Sequence, residues 1–251
     1  MERGLYAAAS GMIAQQTIQD VLAQNIANAN TVGYKQDSTT FRTLQSMKLQ
    51  RLEQGQNRGA QLGELGMGSA ADKVYVDWRA GTTSQTLNPL DASLEDTQQF
   101  FAVSTPRGER YTRAGNFRMD ANGNLLSGSG YPVVGSNGQP ISTGGRTDAS
   151  LDSRGNLTVQ GRAVGQLKIV QIAPNALRKD GDTLFAPVAL NAVQPVAQPQ
   201  VRTGTLEQSN VDTVRSLVQM ITVSRGFDMA QRAITTQDDL LKHAQSELGR
   251  L

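Results

Sequence analysis

Apolar positions change their spacing twice along this 251-residue chain. Leu5, Ala8, Met12, Gln15, Gln19, Leu22, Ile26 and Ala29 follow alternating three- and four-residue steps. That spacing lines up one narrow face of a helix. Gln15 and Gln19 interrupt the middle of the stripe. The pattern predicts a helix ending near Asn28 to Asn30, inside an N-terminal helical zone that runs to about Gln50. A second stripe is cleaner: Met220, Val223, Phe227, Ala230, Ile234, Gln237, Leu241 and Ala244 hold heptad a/d spacing with one polar member. It predicts a helix from about Ser209 to the C-terminus, capped by Ser209 or Asn210, with Asp212 near the positive end of the helix dipole.

Between these zones the period becomes two. Val74, Val76 and Trp78 alternate with polar neighbours as a half-buried strand does. Asn122-Gly123, Asn137-Gly138 and Arg154-Gly155 supply the turns of hairpins, and Leu167, Ile169, Val170 and Ile172 form an apolar strand. Asp120–Leu125 and Asp152–Leu157 share the form D-x-x-G-N-L, read as two similar hairpins of one β domain. From Gln50 to Ala71 the chain is rich in Gln, Gly, Arg and Ala, and regular structure is not expected there in isolation. The fold class is therefore α+β. Helical segments 1–50 and 203–251 form a coiled-coil-like core domain, 51–71 a flexible or assembly-ordered connector, and 72–202 a central all-β domain.

Composition narrows the chemistry. Hydrophobic residues make up 38% and aromatics 5%, with one Trp, so a core must be aliphatic. The net charge of +2 comes from 24 basic and 22 acidic residues, with no basic stripe to track phosphates, so nucleic acid is not expected as a partner. The chain has no Cys, which removes disulfides, thiol catalysis and thiolate metal sites, and suits a protein that crosses between compartments unfolded. The first residues lack the apolar core of a cleavable signal peptide, and no run is long enough to span a membrane.

Candidate catalytic groups are few. The one histidine, His243, sits near the end of the last helix, where a cation beside the negative dipole end is its simplest role. Asp120–Asn124 resembles a calcium loop, but its Gly falls at position four and Tyr131 stands where the closing Glu belongs. Gly128-Ser129-Gly130 and Gly144-Gly145 have no Lys-Ser or Lys-Thr beside them to make a phosphate loop. Glu95 with Asp96, or Glu64 with Asp72, are the carboxylate pairs that glycan cleavage would need. No catalytic, cofactor or metal residue is assigned.

Both ends carry motifs. Asn25-Ile26-Ala27-Asn28-Ala29-Asn30-Thr31-Val32-Gly33-Tyr34-Lys35 resembles the N-x-x-N-x-x-T-x-G-[FY]-K signature of the flagellar rod and hook protein family. Gly204-Thr205-Leu206-Glu207-Gln208-Ser209-Asn210-Val211-Asp212 resembles that family's G-x-L-E-x-S-N-V-D. Met220-Ile221, Arg225-Gly226-Phe227 and Thr236-Gln237-Asp238 follow it, near the family's M-I, R-A-[FY] and T-x-D, with Gly226 in place of the usual Ala. A mid-helix Gly suggests the close approach of a neighbouring backbone. Ser84–Asp91 and Tyr111–Phe117 resemble internal segments of the longer rod proteins, whereas Asp96-Thr97-Gln98-Gln99-Phe100-Phe101 departs from the usual G-x-G-F-F.

The resemblance implies a structural subunit of the bacterial flagellar basal-body rod, polymerising helically into the shaft that carries torque from motor to hook. It implies as partners copies of itself, other rod and hook proteins and the flagellar type III export apparatus, with no small-molecule substrate. It implies a place in the periplasm-spanning rod, and subunit contacts at the motif and heptad positions: Leu5, Met12, Leu22, Asn25, Ile26, Asn28, Thr31, Gly33, Tyr34, Lys35, Leu206, Ser209, Asn210, Val211, Asp212, Met220, Val223, Phe227, Ile234 and Leu241. Length favours the distal or the longer proximal rod class, and the connector favours the distal one. The rivals are a secreted coiled-coil surface protein or adhesin and a peptidoglycan-acting enzyme.

Overall fold

The structure, a computed structural model, describes residues 2–50, 61–146 and 148–248. It divides into two compact units. The helical unit holds the chain up to Ile26, Asp37–Tyr75 and the chain from Thr213; the β unit holds Ala27–Gln36 and Val76–Asp212. The architecture is α+β, a helix towards each end and a strand-rich centre.

In the helical unit, α1 spans Glu2–Ala27 and α2 spans Thr213–Leu248, with strands β1 Asp37–Thr43, β2 Met47–Gln50, β3 Gln61–Leu65 and β4 Ser69–Val76. Helix α1 is rich in Ala, the best helix former, and ends at the Asn28–Asn30 cluster. Its covered face includes Ala14, Leu22 and Asn25, with Leu5, Ala8, Met12, Gln15 and Ile26 half-buried. Gln19, expected on the stripe, is exposed, and Ile18 is half-buried in its place. A straight helix drifts by about 20° per heptad against a 3.5-residue repeat, which moves the covered face off a strict stripe. On α2 the expected stripe is the covered one. Met220, Val223, Phe227, Ala230, Ile234, Gln237 and Leu241 are half-buried, and Ser216 is buried at the same spacing. Ala244 is in the helix, but its side chain lies outside the described residues.

Three local expectations need correction. The helical zone does not reach Gln50: from Asp37 the chain is strand, with Thr39, Thr40, Phe41 and Thr43 supplying β-branched and aromatic positions. The connector is strand over 61–65 and again from Ser69, because β2 pairs with β3 (Met47 opposite Leu65) and β1 with β4. A main-chain ladder needs no apolar period, so composition missed it; residues 51–60 lie outside the described residues. Val74 is 53% exposed, while Val76 and Trp78 pack on the core of the β unit, so this alternation does not face a single core.

The β unit contains β5 Thr83–Gln85, β6 Ala92–Leu94, β7 Gln99–Thr105, β8 Gly108–Thr112, β9 Arg118–Met119, β10 Leu125–Leu126, β11 Ala149–Leu151, β12 Asn156–Val159, β13 Arg162–Gln166, β14 Ile169–Gln171, β15 Leu177–Lys179, β16 Leu184–Pro187, β17 Gln194–Pro195, β18 Val201–Thr203 and β19 Thr205–Glu207. Its centre is a six-stranded antiparallel sheet in the order β15-β16-β8-β7-β14-β17. Phe101, Val103 and Ile169 pack into one core, while Phe100, Ala102 and Val170 pack into another. Both faces of this sheet are therefore covered. That is why Phe100–Val103 and Leu167–Ile172 read as near-continuous apolar runs. Trp78 lies edge-on to Phe100 at 5.6 Å and tilted on Phe185 at 4.8 Å.

The sequence echo is a structural repeat. In each copy the aspartate Oδ1 accepts from the backbone two and four residues on, and its Oδ2 accepts from the Asn side chain. Gly123 and Gly155 take the positive φ of 78° and 73° that closes the turn. Leu125 and Leu157 then enter the same core, fully buried.

Phe185 is fully buried against the only tryptophan of the chain. Phe185→Ala should lower the stability of the β unit by about 3–5 kcal/mol. The check is urea unfolding followed by Trp78 emission, which should shift red at a lower midpoint.

Candidate functional site

The motifs from the two ends of the chain meet inside the β unit, around one carboxylate. Thr31 turns the chain out of the Asn cluster: its Oγ1 donates to Asn28 Oδ1 and its N–H to the Asn28 carbonyl, both at 3.1 Å. Gly33 then takes φ 70°, and its N–H donates to the Glu207 carbonyl at 2.8 Å. A Cβ at Gly33 would lie 2.3 Å from the Ala114 backbone nitrogen, so only glycine fits in both conformation and space. Beyond it Tyr34 and Lys35 are fully buried.

Glu207, 3% exposed, is gripped from both sides. Lys35 Nζ donates to its Oε1 at 2.6 Å, and Arg113 Nε to its Oε2 at 2.7 Å. Both cations also donate to main-chain oxygens. Lys35 reaches the Arg79 carbonyl, and Arg113 the carbonyls of Leu94, Asp96 and Gln99. Burial alone would raise the Glu207 carboxyl, but Arg113 and Lys35 outweigh it and hold the group below the usual carboxylate range. Burial pulls the Lys35 ammonium below its usual range, and Glu207 offsets this only in part. Lys179 closes the outside, with Nζ 4.0 Å from the Tyr34 ring centre and donating to the Lys35 carbonyl.

Asn210 completes the clasp. Its Oδ1 accepts from the Gln36 N–H, and its Nδ2 donates to the carbonyls of Asp77 and Arg79. Ser209 Oγ accepts from the Val211 N–H. Neither residue therefore caps α2 as expected; the helix starts at Thr213, directly after Asp212. Asn25 performs a similar joint in the helical unit: its amide donates to the Asp37 carbonyl and accepts from the Asp37 N–H.

The expected site residues thus separate into groups. Asn28, Thr31, Gly33, Tyr34, Lys35, Leu206, Ser209, Asn210 and Val211 lie in or beside the clasp, with Leu206 buried and Asp212 exposed. Leu5, Met12, Leu22 and Ile26 lie along α1, and Met220, Val223, Phe227, Ile234 and Leu241 along α2. The central members of the clasp, Glu207 and Arg113, were not singled out. Both stood inside quoted segments, G-x-L-E and T-R-A-G-N-F, as charges between uncharged neighbours. The departure at Asp96–Phe101 is also explained. Asp96 Oδ1 accepts from the Gln98 N–H, so a side-chain turn stands where the family has glycine.

The proposed carboxylate pairs are otherwise engaged. Glu95 bonds Arg202 at 2.6 Å and Glu64 accepts from Ser46. Asp72 lies 3.9 Å from Arg42. Glu95 borders a polar cleft of 720 Å³ with Ser153, Arg154 and Gln198, which brings no second carboxylate beside it. His243 is exposed.

Comparison with known proteins identifies this arrangement. Residues 5–35 match the family described as flagella basal body rod protein, 202–247 the flagellar basal body rod FlgEFG protein C-terminal family, and 96–173 the flagellar hook protein FlgE/F/G D1 domain. The flagellar basal-body rod protein FlgG of Bacillus subtilis (strain 168) is 35% identical, over 96% of this chain and 97% of its own. FlgG of Agrobacterium fabrum is 33% identical over 95% and 96%, and the rod protein FlgF of Caulobacter vibrioides 29% over the full length of both. The chain belongs to the flagellar basal-body rod and hook family. Its class is structural: a component of the rod of the bacterial flagellum.

Glu207→Gln should leave two buried cations without their counter-charge and destabilise the β unit by about 3–5 kcal/mol. The Glu207 carboxyl is depressed in the folded state. Its contribution is therefore present above the unfolded carboxyl value and lost as pH falls through the folded one. Denaturant midpoints measured down the acid range should fall less steeply in Glu207→Gln than in the parent.

Proposed function

We infer that the chain is a rod subunit that polymerises helically with copies of itself through α1 and α2, building the drive shaft between motor and hook. The observation that carries this is the two-sided apolar character of α2. One stripe, Met220 to Leu241, is half-covered within the helical unit. A second row, Val214, Leu217, Val218 and Ile221, continued by Met229 and Leu240, remains 48–71% exposed on a helix of 36 residues. A helix apolar on more than one face needs more cover than one subunit supplies. Burial of such side chains is worth about 1.5–3 kcal/mol each, repeated at every contact of a polymer.

The chain then works in two parts. The helical unit is the assembly domain, with α1 and α2 paired in coiled-coil fashion. The β unit decorates and stiffens it. Other rod and hook proteins adjoin it at the ends of the shaft. The subunit reaches the periplasm-spanning rod through the flagellar type III apparatus and performs no catalysis. Identities of 35% and 33% to FlgG against 29% to FlgF favour the FlgG type. The clasp of both end motifs on Glu207 speaks against a surface adhesin, whose helices would need no such joint.

Phe227→Asp should abolish rod growth and motility, seen by electron microscopy of basal bodies, while Trp78 emission reports an intact β unit. Arg107→Ala, which removes the outer of two arginines on Asp180 and keeps the Arg110 bond, should leave rods and swimming unchanged. Full rods in Phe227→Asp cells would refute the reading.

A further inference from the structure

The glutamines that interrupt the two helical stripes lie over glycines of the opposite helix. A Cβ on Gly226 would sit 2.6 Å from Gln15 Nε2 and 2.7 Å from its Oε1. A Cβ on Gly4 would sit 2.8 Å from Gln237 Nε2. The close neighbour expected at Gly226 is thus a side-chain amide, not a backbone. Eleven residues separate glycine from glutamine on each helix, Gly4 from Gln15 and Gly226 from Gln237. The two contacts therefore belong to one unbroken antiparallel pairing. Gln15 Oε1 and Gln237 Oε1 are buried, and among the described residues neither accepts a hydrogen bond.

We propose that these two glutamine-on-glycine contacts are a register lock that selects one antiparallel alignment of α1 and α2. This rests on the reading of the two helices as the paired assembly element. Apolar heptads by themselves tolerate a slip of seven residues, and a polar group in the seam removes that freedom at some expense in stability. Both contacts are needed. A slip in one direction carries Gln237 onto Gly11, which would receive it as Gly4 does, but carries Gln15 onto Ala233, whose Cβ occupies the space the amide needs. The opposite slip sets Gln15 against Gln219 and takes Gln237 off the end of α1. Gly226 stands where the family resemblance expects Ala, so this lock is a feature of this chain's own residues. Its partner chemistry is intramolecular: an amide plane lying against a bare helix backbone.

The absence of Cys permits a direct test in the full-length chain, both purified and in assembled basal bodies. The pair Ala7→Cys with Ile234→Cys reports the native register. The pair Ala7→Cys with Leu241→Cys reports the slip that brings Gln237 to Gly11. Oxidation should close the first pair within one chain and leave the second open. Adding Gln15→Leu should raise the slipped product relative to the native one by about tenfold, because the slip no longer misplaces a buried amide. Gln15→Ala, which removes the amide without adding apolar bulk, should shift the ratio the same way. Gln16→Leu, one residue away on the exposed side of α1, should not. An unchanged ratio in both Gln15 variants, or equal closure of both pairs in the parent, overturns the lock while leaving helix pairing intact. Closure of neither pair overturns the pairing itself.

Discussion

The structure turns on the burial of Glu207 between Lys35 and Arg113. Three charges removed from water are tolerable only when each is paired and its remaining hydrogen-bonding positions are filled. Here the filling is done by main-chain carbonyls at Arg79, Leu94, Asp96 and Gln99, which belong to the strands and turns of the β unit. The ion cluster therefore cannot form unless that unit has formed. Once formed, it fixes where the segments from the two ends of the chain enter. Gly33 carries this constraint into the backbone, since its N–H bonds Glu207 and its missing side chain admits Ala114.

The β unit is packed to hold such a joint. Its central sheet is covered on both faces, and its two D-x-x-G-N-L turns close hairpins with the same set of side-chain-to-backbone bonds. The helical unit is built on the opposite principle. Its two helices leave apolar side chains exposed, and its strands form two-stranded ladders, which are marginal without further packing. Such a division suits a rod subunit: one part is complete by itself, and the other has surface to bury against neighbours.

The proposed register lock gives a reason for polar residues in the apolar stripes of α1 and α2. Stability alone would favour Leu at Gln15 and Gln237. On that proposal, their placement over glycine trades some of that stability for a defined alignment.

Sequence alone determined the features that depend on near neighbours. Both helices, the covered face of α2, the turn repeat and the doubly buried strands are legible because their periods reflect which side of each element meets water. The end motifs were legible as segments, and they placed Lys35, Tyr34 and Asn210 in the functional region. Only the tertiary structure decided what lies at the centre of that region. Glu207 and Arg113 are 94 residues apart and become partners through the folding of the β unit. The strands at 37–43, 47–50 and 61–65 were hidden for a related reason: their bonds are main-chain bonds to a distant segment, and those leave no period in side chains. The same holds for Gln15 and Gln237. Along the chain they read as blemishes in a stripe, and they acquire meaning only when the opposite helix sets a glycine beneath each one.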